Sequence, residues 1–199
     1  LHSAQRLAMV GSRNPTPAGQ KTAHDFAQHL AQAGVCVVSG LALGIDGASH
    51  QGALDGAGPT LAVVGTGLDR VYPSRHKALA HAIASQGALI SELPLGAGPL
   101  QAHFPRRNRI IAALSHATLV VEANVQSGSL ITAQQALDEG REVMAIPGSI
   151  HSPQSRGCHA LIRQGATLVE SVADVLSAMN WNPANQDARH ELIRTPEAE

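Results

Sequence analysis

The chain has 199 residues, of which 44% are hydrophobic and 15% charged, with a formal net charge of −1. This composition can bury enough apolar surface to offset backbone ordering, which excludes a disordered chain, and the length suits one domain better than two. Near-neutral charge excludes a global field for polyanions, so any nucleic-acid affinity must come from a local patch, and aromatic residues at 2% leave few rings for stacking on bases.

Along the chain, short apolar, β-rich runs stand at residues 7–10, 35–39, 60–64, 88–91, 118–122, 142–146 and 167–169. Continuous apolar runs of this kind belong to a parallel sheet covered on both faces. Helical patterns lie between them. One starts at Thr16 and Pro17 and stops at Gly34, another starts at Ser74 and stops at Gly87, and Ser129 caps a third that closes at Gly140. Regular βαβ alternation predicts an α/β, Rossmann-like, doubly wound and mostly parallel sheet in a single domain over residues 1–182. Residues 183–199 are polar without an apolar period and read as a linker or tail; with Leu1 at the start, they point to a trimmed fragment. No apolar stretch reaches the roughly 20 residues that span a bilayer, and no signal peptide opens the chain. Cys36 and Cys158 lack CxxC spacing, and Cys36 sits in an apolar run as a buried thiol. A soluble, cytoplasmic protein in reducing surroundings is expected.

In doubly wound sheets ligands bind beyond the carboxyl ends of the strands, so function belongs to the βα loops. These are rich in Gly and Ser: Gly11-Ser12-Arg13, Ser39 to Asp46, Gly65-Thr66-Gly67, Ser91-Glu92 and Ser127-Gly128-Ser129. Glycine permits close approach of a ligand, and a helix N-terminus behind it offers free N–H groups, which suits phosphate; the competing reading is a set of tight strand-to-helix turns. GxxxxGK[ST] is absent, and Arg70 stands where a dinucleotide fingerprint beginning at Gly65 needs its third glycine. No ATP, NAD or other cofactor is expected. The histidines form neither HExxH nor an i, i+4 pair, so no metal is expected either. Ser39, Asp46, Ser91 and Glu92 have no GxSxG elbow or partner base and read as capping and turn residues.

The segment Phe104-Pro105-Arg106-Arg107-Asn108-Arg109-Ile110-Ile111 is the most informative. Pro105 suits the first turn of a helix, and three arginines then crowd a helix start where cations oppose the macrodipole by up to about 1 kcal/mol each. No structural gain is evident in the sequence. Arginine forks match phosphate oxygens, so a nucleic-acid backbone is the expected partner, against the competing reading of a solvated face paired with carboxylates. Arg13 stands two residues after Gly11 in the first βα loop and is placed to point into the same crevice; Arg70, Arg75 and Lys77 read as surface charges. Arg107 and Arg109 lie two apart on a helix and cannot face the same way, so one should meet a ligand more directly.

At these loops the sequence resembles the DprA/Smf family. The matching strings are Val10-Gly11-Ser12-Arg13, Ser39-Gly40-Leu41-Ala42 with Gly44-Ile45-Asp46, Gly65-Thr66-Gly67-Leu68-Asp69 with Tyr72-Pro73, Ser91-Glu92, the segment from Phe104 to Ile111, Ser127 to Ala133, Gly140-Arg141 and Pro147-Gly148. The resemblance implies a non-enzymatic, dimeric protein that binds single-stranded DNA during natural transformation and loads the RecA recombinase on it. It also implies flanking domains, neither of which is evident here. It maps the DNA pocket onto Arg13, Arg106, Arg107 and Arg109, with Arg106 standing where some members have Lys. Beside these, Asn108 and the loop residues Gly11, Ser12, Ser127, Gly128 and Ser129 are expected to add neutral donors. Phe104 is read equally as a base-stacking ring and as a core anchor. Two alternatives remain. A LOG-like phosphoribohydrolase needs a PGGxGTxxE pattern, but Thr132 stands at its glutamate; the other is a module for dimerisation and RecA docking only.

Overall fold

The computed structural model describes residues 5–181; the polar stretch 183–199 lies outside the described residues. Seven strands, β1 (Arg6–Val10), β2 (Cys36–Ser39), β3 (Thr60–Val63), β4 (Ala88–Ile90), β5 (Ala117–Val120), β6 (Glu142–Ala145) and β7 (Thr167–Leu168), form one sheet in the order β4-β3-β2-β1-β5-β6-β7. Every pairing is parallel. The expected Rossmann-like sheet is therefore present, and it is wholly rather than mostly parallel.

The strands are apolar along their length because both faces are covered, and successive side chains point to opposite faces. Leu7 and Met9 of β1 point to one side, where α1 (Pro17–Gln32), α2 (Ile45–Asp55) and α7 (Val172–Ala178) supply Ala27, Leu30, Ile45, Ala48 and Val175; α3 (Lys77–Gln86) closes that side beyond β3. Ala8 and Val10 point to the other, against Ile111 of α4 (His103–Leu114), Ala133 of α5 (Ser129–Asp138) and Leu161 of α6 (Arg156–Arg163). Thr16 caps α1 by accepting from the Gly19 amide, with Pro17 in the first turn, as the sequence predicts. Ser129 does not cap α5. It is the first helical residue, Gly128 precedes it in the cap position, and the Ser129 hydroxyl is bonded to that of Ser127 at 2.7 Å.

Where the sequence predicts a loop from Ser39 to Asp46, the structure starts helix α2 at Ile45. Its residues include two glycines, a serine and a histidine, and nearly all of its circumference is buried, so no polar stripe marks a helical period. Cys36 and Cys158 are both buried, and burial pushes each thiol up to about 11. Such thiols carry almost no thiolate at neutral pH and serve as packing. No helix among the described residues is long and apolar enough to cross a membrane.

One buried polar chain anchors the β2–α2 loop. The Thr60 hydroxyl donates to the Val37 carbonyl at 2.8 Å, so His50 Nδ1 must donate to Thr60 Oγ1 at 2.7 Å, and His50 Nε2 accepts from the amide of Leu41 at 3.3 Å. Leu41 is held at φ 60°, an unusual conformation for a branched side chain. The imidazole is thus a neutral Nδ1–H tautomer, and burial, reinforced by His76 and Arg107, lowers its pKa from 6.5 to about 3. A depressed histidine contributes stability that is present above about 6.5 and is lost as the pH falls toward about 3. Urea unfolding of the wild type between pH 7 and 4.5 should therefore show stability falling by up to about 1.4 kcal/mol per pH unit from this group. His50→Gln, which can still donate and accept, should start lower and fall less steeply; equal slopes would mean that His50 is not the titrating group.

Candidate functional site

The chain winds outward in both directions from β1, toward β4 on one side and through β5 to β7 on the other, so the gap between β1 and β5 is the switch point of the sheet. A cleft of about 430 Å³ opens there. One wall is the β1–α1 loop with Gly11, Ser12 and Arg13; the facing wall is Ser127, Gly128 and Ser129 at the start of α5. Helix α4 forms the third side with Phe104, Arg107 and Asn108. Sequence reasoning did not find Asn124, Thr132 or Gln154 as lining residues. Asn124 was legible in principle, since it follows β5 at the switch point, whereas Gln154 arrives from the distant β6–α6 connection.

The arginines separate sharply. Arg107 is 4% exposed. Its guanidinium donates to the Gly40 carbonyl at 2.6 Å and to that of Val63, while Nε donates to Asn108 Oδ1 at 3.0 Å. Asp46, itself buried, accepts from the Gly40 and Ala42 amides at 3.1 and 3.4 Å and lies close enough to offset Arg107 electrostatically. Burial pulls the arginine below its ordinary pKa, with Asp46 opposing that; burial raises the aspartate, with Arg107 and the two amides opposing. A Cβ on Gly40 would sit 2.5 Å from the guanidinium, so glycine is required there. Arg106 and Arg109 do not line the cleft. Their side chains are 70% and 52% exposed, and both turn to Glu92, which Arg109 engages directly and Arg106 approaches at 3.9 Å.

This corrects three expectations. The arginine cluster does have a structural gain, because Arg107 finds two strand-end carbonyls and the outer pair finds a carboxylate. It is also not one patch, since the helical period sends Arg107 inward and Arg106 and Arg109 outward. Glu92 is an ion-pair partner rather than a capping residue, whereas Ser91 does shape its turn, donating to Thr66 O and accepting from Leu93 N.

Arg13 is the free cation of the cleft. It joins no ion pair among the described residues, and its guanidinium lies over the Phe104 ring, 5.4 Å from the centroid, with Arg107 at 5.9 Å. Such cation–π contacts are worth about 0.5 to 1 kcal/mol at exposed sites. The loop amides are less available than the glycine content suggests. Ser12 N–H donates to Glu122 O at 2.7 Å and Ser127 N–H to Asn124 O at 3.1 Å, leaving hydroxyls as the donors of these two serines. Gly11 is dictated by packing, since a Cβ would lie 2.7 Å from Ile45 and 2.8 Å from Glu122 O; at Gly128 the same position opens on free space. The Glu122 carboxylate accepts from the Thr16 amide at 2.9 Å and the Thr16 hydroxyl at 2.6 Å, which closes the N-terminus of α1. Among the described residues Asp46 is the one carboxylate lining the cleft, and it is already held by amides.

The family model described as DNA recombination-mediator protein A matches residues 1–180. The chain belongs to that family. It is 48% identical to Protein Smf of Escherichia coli over 202 residues, covering 99% of this chain and 53% of that protein. It is 49% identical to the DNA processing protein DprA of Streptococcus pneumoniae over 176 residues, covering 88% of this chain and 62% of that one. The chain thus spans roughly half to three-fifths of the length of these relatives. Among solved structures, S. pneumoniae DprA superposes with a TM-score of 0.81 at 47% identity, covering 87% of this chain and 61% of that one. DNA processing protein A of Helicobacter pylori, whose structure describes a single-stranded DNA binding mode, gives 0.82 at 28% identity over 89% of this chain and 80% of that one. A molybdenum cofactor binding protein of Rippkaea orientalis shares the fold, with a TM-score of 0.64 at 17% identity over 88% of this chain and 95% of that one.

The geometry separates the arginines by stability. Arg107→Ala strips two carbonyls of their donor and leaves Asp46 without a compensating charge, so it should destabilise the fold by about 3 to 5 kcal/mol. Arg106→Ala and Arg109→Ala remove exposed ion pairs and should each cost less than about 1 kcal/mol. Urea unfolding of the three variants checks this; a stable Arg107→Ala protein would overturn the buried-anchor reading.

Proposed function

We propose that this chain binds single-stranded DNA in the β1/β5 cleft, and that the longer protein of which the family consists protects incoming DNA and delivers it to the RecA recombinase during natural transformation. The observation that carries the reading is Arg13, a cation without an ion-pair partner among the described residues, held over Phe104 beside a second guanidinium. Among the described residues, two arginines against one carboxylate leave the cleft electropositive, and an entering phosphate relieves the repulsion between them. The hydroxyls of Ser12, Ser127 and Ser129, with Asn108 and the Gly11 and Gly128 backbone, surround that position with neutral hydrogen-bonding groups. Arg107 acts as the anchored floor, and Arg106 and Arg109 as an outer contact available when Glu92 releases them. The family's single-stranded DNA relative in H. pylori supports the same ligand. The family reading also carries a homodimer, a RecA contact, a cytoplasmic location and no enzymatic activity. Against a phosphoribohydrolase stands the cleft chemistry: Thr132 occupies the position of the needed carboxylate, and Asp46 is engaged by two amides.

A salt titration of fluorescent oligonucleotides tests this. Single strands should bind more tightly than duplex at matched salt, since loops line the cleft and no projecting helix among the described residues offers itself to a major groove. Arg13→Ala should weaken binding of all sequences alike and reduce the salt slope by about 0.7, as loss of one single-strand phosphate contact does, with unfolding unchanged. Tighter duplex binding, or an unaltered slope, would overturn the reading. Glu92→Gln frees Arg106 and Arg109 and should tighten binding at low salt with a steeper slope; an unchanged affinity removes these two from the interface. Incubation with AMP should release no adenine, and release would restore the enzyme alternative.

A further inference from the structure

Bases of a strand held in the cleft need apolar or aromatic surface beside it. The chain has two Phe, one Tyr and one Trp. Phe26 packs against the core and Trp181 is buried in it. The other two meet each other: Phe104 lines the cleft, and Tyr72, outside that lining, lies against the Phe104 ring with centroids 5.5 Å apart and planes tilted by 39°. Their situations differ. Phe104 lies with Cδ1 and Cε1 against Gly65, where an added Cβ would be only 2.9 Å away, and it carries the Arg13 guanidinium over its face. That ring is already engaged. Tyr72 is 49% exposed, and its hydroxyl has no hydrogen-bond partner among the described residues.

An exposed tyrosine on a loop is unremarkable when the loop is loose, but this loop is braced. Thr66 Oγ1 donates to Arg70 O at 3.0 Å, Ser91 Oγ donates to Thr66 O at 2.6 Å, Gly67 N donates to Ala97 O at 2.9 Å, and Gly96 N donates to Asp69 Oδ1 at 2.8 Å. The β3–α3 and β4–α4 connections therefore hold one another, and Tyr72 is presented in place at no ordering cost to a ligand. Resting on the single-stranded DNA reading, we infer that Tyr72 is a base-stacking residue: the strand leaves the Arg13 phosphate position, passes Phe104, and lays a nucleobase on the Tyr72 ring. Phe104 is then a positioning residue that steadies both Arg13 and Tyr72, which resolves its two competing readings in favour of the anchor.

The test uses the whole chain and two oligonucleotides of equal length, one of thymidines and one of abasic sites, each titrated with wild type, Tyr72→Leu, Tyr72→Trp and Arg13→Ala. Stacking is worth about 1 to 3 kcal/mol per base, so Tyr72→Leu should lose about 5- to 150-fold for the thymidine strand, with its salt slope unchanged. The abasic strand should be bound as by wild type. Tyr72→Trp should retain or exceed wild-type affinity for thymidines, and Arg13→Ala should weaken both strands. Equal loss for both strands on Tyr72→Leu, or no loss for either, overturns the stacking role while leaving the cleft reading intact. A wild-type protein that binds neither strand overturns both.

Discussion

The site depends on a guanidinium that is almost wholly buried. Arg107 projects from the second turn of α4 under the carboxyl ends of β2 and β3 and satisfies carbonyls that no sheet neighbour takes, at Gly40 and Val63. Burying an uncompensated arginine would cost several kcal/mol, and the carbonyls, Asn108 and the negative charge of Asp46 offset that cost. The consequence is positional. Fastened at Arg107, α4 cannot slide along the sheet, so Phe104, one turn earlier, meets Gly65 and Tyr72, and Asn108, one residue later, faces the α5 wall, within 3.5 Å of the Gly128 carbonyl. A residue that reads as a ligand contact is thus what holds the lining residues of the cleft in place, and its charge still contributes to the potential there.

The difference between what was legible and what was not follows from range. The seven strands announce themselves through local apolar runs, and the start of α1 through Thr16 and Pro17, because periodicity and capping are local properties. That the site lies among the βα loops also follows from fold class. Strand order does not: nothing local to residues 7–10 or 118–122 says that these strands are neighbours, yet that adjacency creates the cleft. The same limit governs the arginines. Glu92 is 17 residues before Arg109, and Gly40 and Val63 are 67 and 44 residues before Arg107, so a cluster that violates the helix dipole locally is compensated by partners the local window excludes. Helix α2 was missed for the opposite reason, since burial on nearly every side erases the amphipathic signal.

The fold is one that usually meets a dinucleotide at its switch point, with the pyrophosphate against the N-terminus of the first helix. Here that terminus is closed from within. The Glu122 carboxylate, at the end of β5, takes the Thr16 amide and hydroxyl, and a Cβ on Gly19 would collide with it. A phosphate brought to α1 would have to displace one carboxylate and meet its charge. The anion-attracting groups instead are Arg13 on one wall of the cleft and the hydroxyls of Ser127 and Ser129 on the other, with Phe104 between them and Tyr72 against Phe104. A deep, closed phosphate pocket selects a ligand with an end. A shallow line of separate cation, hydroxyl and ring fits the proposed ligand, a strand that continues in both directions, and the carboxylate of Glu122 on the first helix removes the terminus at which a dinucleotide would place its pyrophosphate.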